Sequence, residues 1–144
     1  MRIEFFKKNG EFDADAIKGG VYQVELLAQG RGSNVISLYI GESVWMASRC
    51  GRHLYALYEN PEYFGLTPDD LKDDKLILRF RVLEVIKLPK AVLGTRVYKE
   101  RELYWIEKNQ PLTQSSKSDQ QLKKDVRLKN VRNKMIELDF VQSE

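Results

Sequence analysis

The stretch GGVYQVELLAQGRGSNVISLYIG, residues 19–41, decides the fold. Two runs rich in Val, Ile, Leu and Tyr flank AQGRGSN, whose glycines and asparagine are turn chemistry, so the stretch reads as a β-hairpin. Directly after it, SVWMASRCGRHLYALY (43–58) opens on Ser43, a good N-cap type, and places Ala47, Cys50, Gly51, Leu54, Leu57 and Tyr58 at helical spacing. That row is expected to pack inward and to leave Trp45, Arg49, Arg52, His53 and Ala56 on the opposite side. An ordinary surface helix carries Lys and Glu there, so two arginines and a histidine beside a tryptophan ask for a chemical reason.

Working outward, ENPEYFGLTPDD (59–70) reads as a loop with a short helical turn starting near Thr67–Pro68. KLILRFRVLEVI (75–86) alternates Leu76, Leu78, Phe80 and Val82 against Ile77, Arg79, Arg81 and Leu83, which predicts a third strand with one apolar face. TRVYKERELYWIEKN (95–109) predicts a helix stopped by Pro111, with Leu103 and Ile106 as core positions. TQSSKSDQQ (113–121) reads as a flexible linker, and a last helix follows with Leu122, Val126, Val131, Met135 and Leu138 on roughly one face.

Composition bounds the function. The 144 residues suit one domain, and 42% hydrophobic with 31% charged residues is ordinary globular usage. No apolar run reaches the roughly 20 residues needed to cross a bilayer, and the N-terminus turns charged without an apolar signal region, so no membrane role and a cytoplasmic location are expected. Cys50 is the single cysteine, which excludes an internal disulfide and a thiolate-rich zinc site; a small core residue is the expected role. The net charge of +3 is mild, but Lys117, Lys123, Lys124, Arg127, Lys129, Arg132 and Lys134 outweigh Asp119 and Asp125 between residues 117 and 134, a local excess that suits a polyanion.

GVY at 20–22 and YIG at 39–41, followed by Arg49 and His53 on the next helix and then by Glu102, Pro111 and Gln114, resemble the ordered motif set of the GIY-YIG nuclease superfamily. Each tripeptide alone is weak; the order and spacing carry the resemblance. Two departures stand out: Gln114 occupies a position where the family has Asn, and Tyr22 and Tyr39 are 17 positions apart, a longer gap than is usual there. The resemblance implies a compact α+β domain, a small three-stranded, mostly antiparallel sheet flanked by helices, over residues 19–114. Residues 1–18 are then a leader and 115–144 a basic helical extension.

It also implies an activity, a divalent-metal-dependent endonuclease that hydrolyses DNA phosphodiester bonds. Glu102 is implied as the ligand of one Mg²⁺ or Mn²⁺, a hard oxygen donor whose remaining shell is water and phosphate. Arg49 is implied as the phosphate clamp, since a guanidinium donates paired hydrogen bonds to phosphate oxygens. Tyr22 is implied as the general base or the group that orients the attacking water; Tyr39 and His53 compete for that proton, and His53 has the more suitable intrinsic pKa. Gly20, Gly41 and Gln114 are the structural positions of the motif. Arg52 and the tail residues Lys123, Lys124, Arg127 and Arg132 are candidate nucleic-acid contacts. The apolar stripe of the tail offers a homodimer contact instead. Two other readings stay open: a non-catalytic nucleic-acid-binding or adaptor domain, and an RNA nuclease, because a phosphate-centred site does not distinguish the sugar.

Overall fold

The computed structural model describes residues 1–87 and 95–142. Residues 88–94, inside the expected 19–114 unit, and the last two residues of the expected extension lie outside the described residues. The chain is α+β. Its strands are β1 (Arg2–Phe5), β2 (Lys7–Lys8), β3 (Glu11–Phe12), β4 (Gly20–Ala28), β5 (Ile36–Ser43) and β6 (Leu76–Val85). Its helices are α1 (Met46–Glu59), α2 (Pro68–Leu71), α3 (Thr95–Asn109) and α4 (Lys124–Glu137).

The main sheet has the order β1-β6-β4-β5. The hairpin β4–β5 and the third strand β6 form the expected antiparallel set, with Tyr22 opposite Gly41 on one side and Val82 on the other. The sheet is nonetheless four-stranded and mixed. The leader supplies β1, which runs parallel to β6 with Phe5 opposite Phe80. A parallel partner some seventy residues away leaves no local signature, and the charges around Ile3 and Phe5 hide the short alternation. The leader then turns through Asn9 and Gly10, both at positive φ, which is the tight-hairpin geometry that joins β2 to β3.

The sheet separates two apolar clusters. Tyr22, Val24, Leu26, Leu76, Leu78 and Phe80 pack with Met46, Cys50 and Leu57 of α1 and with Val131 and Met135 of α4. Val21, Ile40 and Ile86 pack with Tyr98 and Ile106 of α3. The arginine face of β6 has its partner in β4: Glu25, fully buried, accepts from Arg79 Nε at 2.7 Å and Arg81 Nε at 3.0 Å. Gln23 Nε2 adds a third donor at 2.5 Å, so the buried carboxylate is satisfied.

Several local expectations change. Ser43 ends β5 rather than capping α1; its hydroxyl accepts from Trp45 N at 3.0 Å, and the helix starts at Met46. The buried row of α1 is Met46, Cys50, His53 and Leu57, so His53 faces the core while Gly51 and Tyr58 are exposed. In α3 the buried row is Tyr98, Glu102 and Ile106, four apart, and Leu103 lies outside it. The expected linker is anchored, since Thr113 and Gln114 are buried and Leu122 N donates to Thr113 O at 2.9 Å. The helical turn at Thr67–Pro68 forms as expected, with a capping box between Thr67 and Asp70.

Part of the apolar stripe of the tail packs within the chain, Val131 and Met135 being buried while Val126 stays exposed. Val131 sits over Gly65, which has φ +74°, and a Cβ there would lie 2.4 Å from Val131 Cγ2 and 2.8 Å from Arg127 O. Gly65→Ala therefore combines left-handed strain with a clash that lifts α4 off the 61–64 turn, and should cost about 2–4 kcal/mol in equilibrium urea unfolding. A loss below about 0.5 kcal/mol would show that α4 is not docked there.

Candidate functional site

Tyr22, Tyr39, Arg49 and His53 meet beside β5, and the Glu102 charge reaches this group at Tyr39. Tyr22 projects from β4 beneath its neighbour Gly41, where an added Cβ would stand 2.4 Å from the phenol oxygen. Glycine at position 41 is thus the space in which the Tyr22 ring lies. Gly20 has a parallel reason: a Cβ there would meet Glu84 O at 2.0 Å.

Tyr22 Oη and His53 Nε2 are 2.8 Å apart. The His53 ring sits edge-on to Tyr39, centroids 5.1 Å apart, and lies flat against Tyr63 at 6.0 Å and 24°. Arg49, one helical turn before His53 and exposed, hydrogen-bonds Tyr22 and interacts electrostatically with Tyr39 and Tyr63. Burial raises the Tyr22 phenol well above its ordinary range, with Arg49 opposing that shift. Burial raises Tyr39 as well, and Tyr63 and Glu102 add to it while Arg49 opposes. The Cys50 thiol is also pushed well up by burial, which leaves it inert beside the expected core role.

His53 is moved down to about 4, first by burial and then by the Arg49 charge, so it is a neutral imidazole near pH 7. With Nε2 unprotonated it accepts the Tyr22 O–H. A depressed folded value below the ordinary 6.5 contributes stability that is present above pH 6.5 and is lost as the pH falls through about 4. Glu102 has the opposite sign, because its raised value favours the folded state at low pH and the gain is lost as the pH rises through about 7. His53→Gln should therefore flatten the fall in stability between pH 6.5 and 4 by on the order of 2 kcal/mol. Urea midpoints measured across that range check it, and an unchanged acid limb would mean that His53 titrates normally.

Glu102 lies on the α3 side of the β5 edge, 4% exposed. Lys99 Nζ stands 3.5 Å from Glu102, 3.8 Å from Glu42 and 2.8 Å from Asp119. Burial raises the Glu102 carboxyl to about 7; Lys99 opposes the shift, and Asp119 and Glu42 reinforce it. Among the described residues no group of three or more His, Cys, Asp or Glu is arranged to hold a metal ion. Glu102 offers a divalent cation one hard oxygen ligand, on a carboxyl that is 4% exposed and has the Lys99 ammonium 3.5 Å away.

Gln114 is buried, accepting from Ile40 N at 2.9 Å and donating to Ile40 O at 2.8 Å. It closes the β5 edge just before Gly41. Pro111 is buried two residues past the end of α3, after Gln110 at φ 50°, a left-handed helix stop. The tail arginines divide from the tail lysines. Arg127 donates to Glu62 O at 3.1 Å and Arg132 to Asp70 at 3.1 Å, so both clamp α4 to the fold, whereas Lys123 and Lys124 are exposed. Arg52 is exposed on α1.

Sequence reasoning missed Tyr63, Glu42, Lys99 and Asp119. Glu42 directly follows the YIG tripeptide and Lys99 stands one turn before Glu102, so both were within reach; Tyr63, in the short helical turn Pro61–Phe64, and Asp119, in a loop, carry no sequence signal. Comparison of the chain with family models, curated proteins and solved structures returned no match. No described helix is long and apolar enough to cross a membrane.

Proposed function

We propose that this chain is a divalent-metal-dependent endonuclease of the GIY-YIG type, acting on DNA. The observation that carries the reading is a hydrogen-bonded tyrosine–histidine pair beside an exposed arginine, with a buried glutamate whose charge reaches Tyr39 in the same group. Hydrolysis at phosphorus needs a proton acceptor, a donor to the phosphate oxygens and a counter-charge. Tyr22 Oη takes the proton of the attacking water as its own proton passes to His53 Nε2, which burial keeps unprotonated. Arg49 donates its paired N–H groups to the non-bridging oxygens. Glu102 would hold the Mg²⁺ or Mn²⁺, which when bound supplies the counter-charge of the pentavalent transition state.

A second reading, a non-catalytic nucleic-acid-binding domain, draws on Lys99, whose ammonium already sits beside Glu102. The two readings part in one experiment. Supercoiled plasmid, branched DNA and RNA are incubated with the chain in Mg²⁺, in Mn²⁺ and in chelator. The nuclease reading expects metal-dependent product from DNA that Arg49→Lys reduces by about 10²-fold, because an ammonium cannot reproduce the planar fork. Metal-independent binding with no product at any metal concentration would favour the second reading.

A further inference from the structure

The exposed ridge of α1 beside the site carries Arg49 and, next to it, Trp45, Arg52 and Tyr55, which have no role in that mechanism. Trp45, Arg49, Arg52 and Tyr55 follow one another at spacings of four, three and three, which places them along one strip of the helix. Trp45 is 55% exposed and Tyr55 71%, unusually open for such large rings, and Tyr58 at 60% stands on the flank. No acidic residue occurs from Ser43 to Tyr58. Neither Arg49 nor Arg52 takes part in an ion pair among the described residues. The ridge therefore offers two unneutralised guanidinium groups bracketed by two open aromatic faces, over about 15 Å of helix.

We infer that this ridge binds an unpaired nucleic-acid strand, and that the substrate carries single-stranded character next to the scissile phosphate. The inference rests on the nuclease reading for what Arg49 holds. The arginines match the charge of a phosphate backbone. The rings add what only an unpaired strand can use, since bases inside a duplex are already stacked and present no open face, whereas splayed bases stack on aromatic side chains whatever their sequence. A duplex laid on the same ridge would meet the arginines and gain nothing from Trp45 or Tyr55.

The test is fluorescence anisotropy of the full chain in chelator, with a labelled 12-nucleotide oligothymidine and a labelled 12-base-pair duplex as probes. Trp45→Ala and Tyr55→Ala should each weaken single-strand binding about tenfold and duplex binding less than twofold. Tyr104→Ala, which removes an exposed ring on α3, serves as the control and should change neither. Equal losses on both probes, or unchanged single-strand affinity in both ridge variants, would overturn the inference. Because the measurement omits metal, its failure is separable from that of the nuclease reading. Ring-dependent binding without any cleavage would sink only the nuclease reading, and cleavage with ring-independent binding would sink only this one.

Discussion

Glu102→Gln is expected to lower metal-dependent cleavage by about 10³-fold or more while leaving the fold intact. The side chain is buried, and its carboxyl is already pushed up to about 7, so the amide resembles the protonated form that the folded protein favours in mild acid. Lys99 keeps Asp119 at 2.8 Å after the change, and the cluster is not left with an uncompensated cation. Unfolding free energies measured near pH 4, where Glu102 is largely protonated folded or unfolded, should therefore move by less than about 0.5 kcal/mol, and at pH 6 the variant should be the more stable form. What the variant loses is the negative oxygen that a divalent cation needs. Turnover within tenfold of the unsubstituted chain would leave Glu102 as a structural residue and remove the metal centre from its proposed place.

Tyr22→Phe is the second large effect. The phenyl ring keeps the packing beneath Gly41, and only the hydroxyl bonded to His53 disappears. If Tyr22 Oη handles the proton, cleavage should fall by about 10²- to 10⁴-fold. His53 Nε2 is then buried without its partner, which adds a stability loss of about 1–3 kcal/mol. The double change Tyr22→Phe with His53→Phe should cost hardly more activity than the worse single change, because the two side chains move one proton as a unit. If Tyr22→Phe cuts at the normal rate and His53→Phe does not, the water gives its proton to the imidazole and the tyrosine only packs.

The antiparallel core of the sheet was legible because its signals are local. The alternation of Leu76, Leu78 and Phe80 is a period of two within one segment, and the turn of the hairpin is written in adjacent residues. The termination of α3 before Pro111 and the helical turn starting near Thr67–Pro68 were legible for the same reason. Other readings failed where two neighbouring rows of a helix were equally plausible. In α1 the core took Met46, Cys50, His53 and Leu57 because Tyr22 offers the imidazole a buried partner, which no helical pattern in the sequence can announce. In α3 the buried row runs through a glutamate, and hydrophobicity pointed to Leu103 instead. The basic tail looked like a single electropositive surface, yet Asp70 and the carbonyl of Glu62 draw Arg132 and Arg127 into docking α4.

By itself the sequence determined the hairpin, the third strand, the helix that follows each, and the order of Tyr22, Tyr39, Arg49, His53 and Glu102, since all of these depend on residues near one another along the chain. The tertiary structure alone decided that the leader closes the sheet as a parallel strand, that His53 is buried and neutral, and that Lys99 stands among Glu42, Glu102 and Asp119. Those outcomes depend on desolvation and on charges brought together across long stretches of chain, and both arise only when the chain is folded.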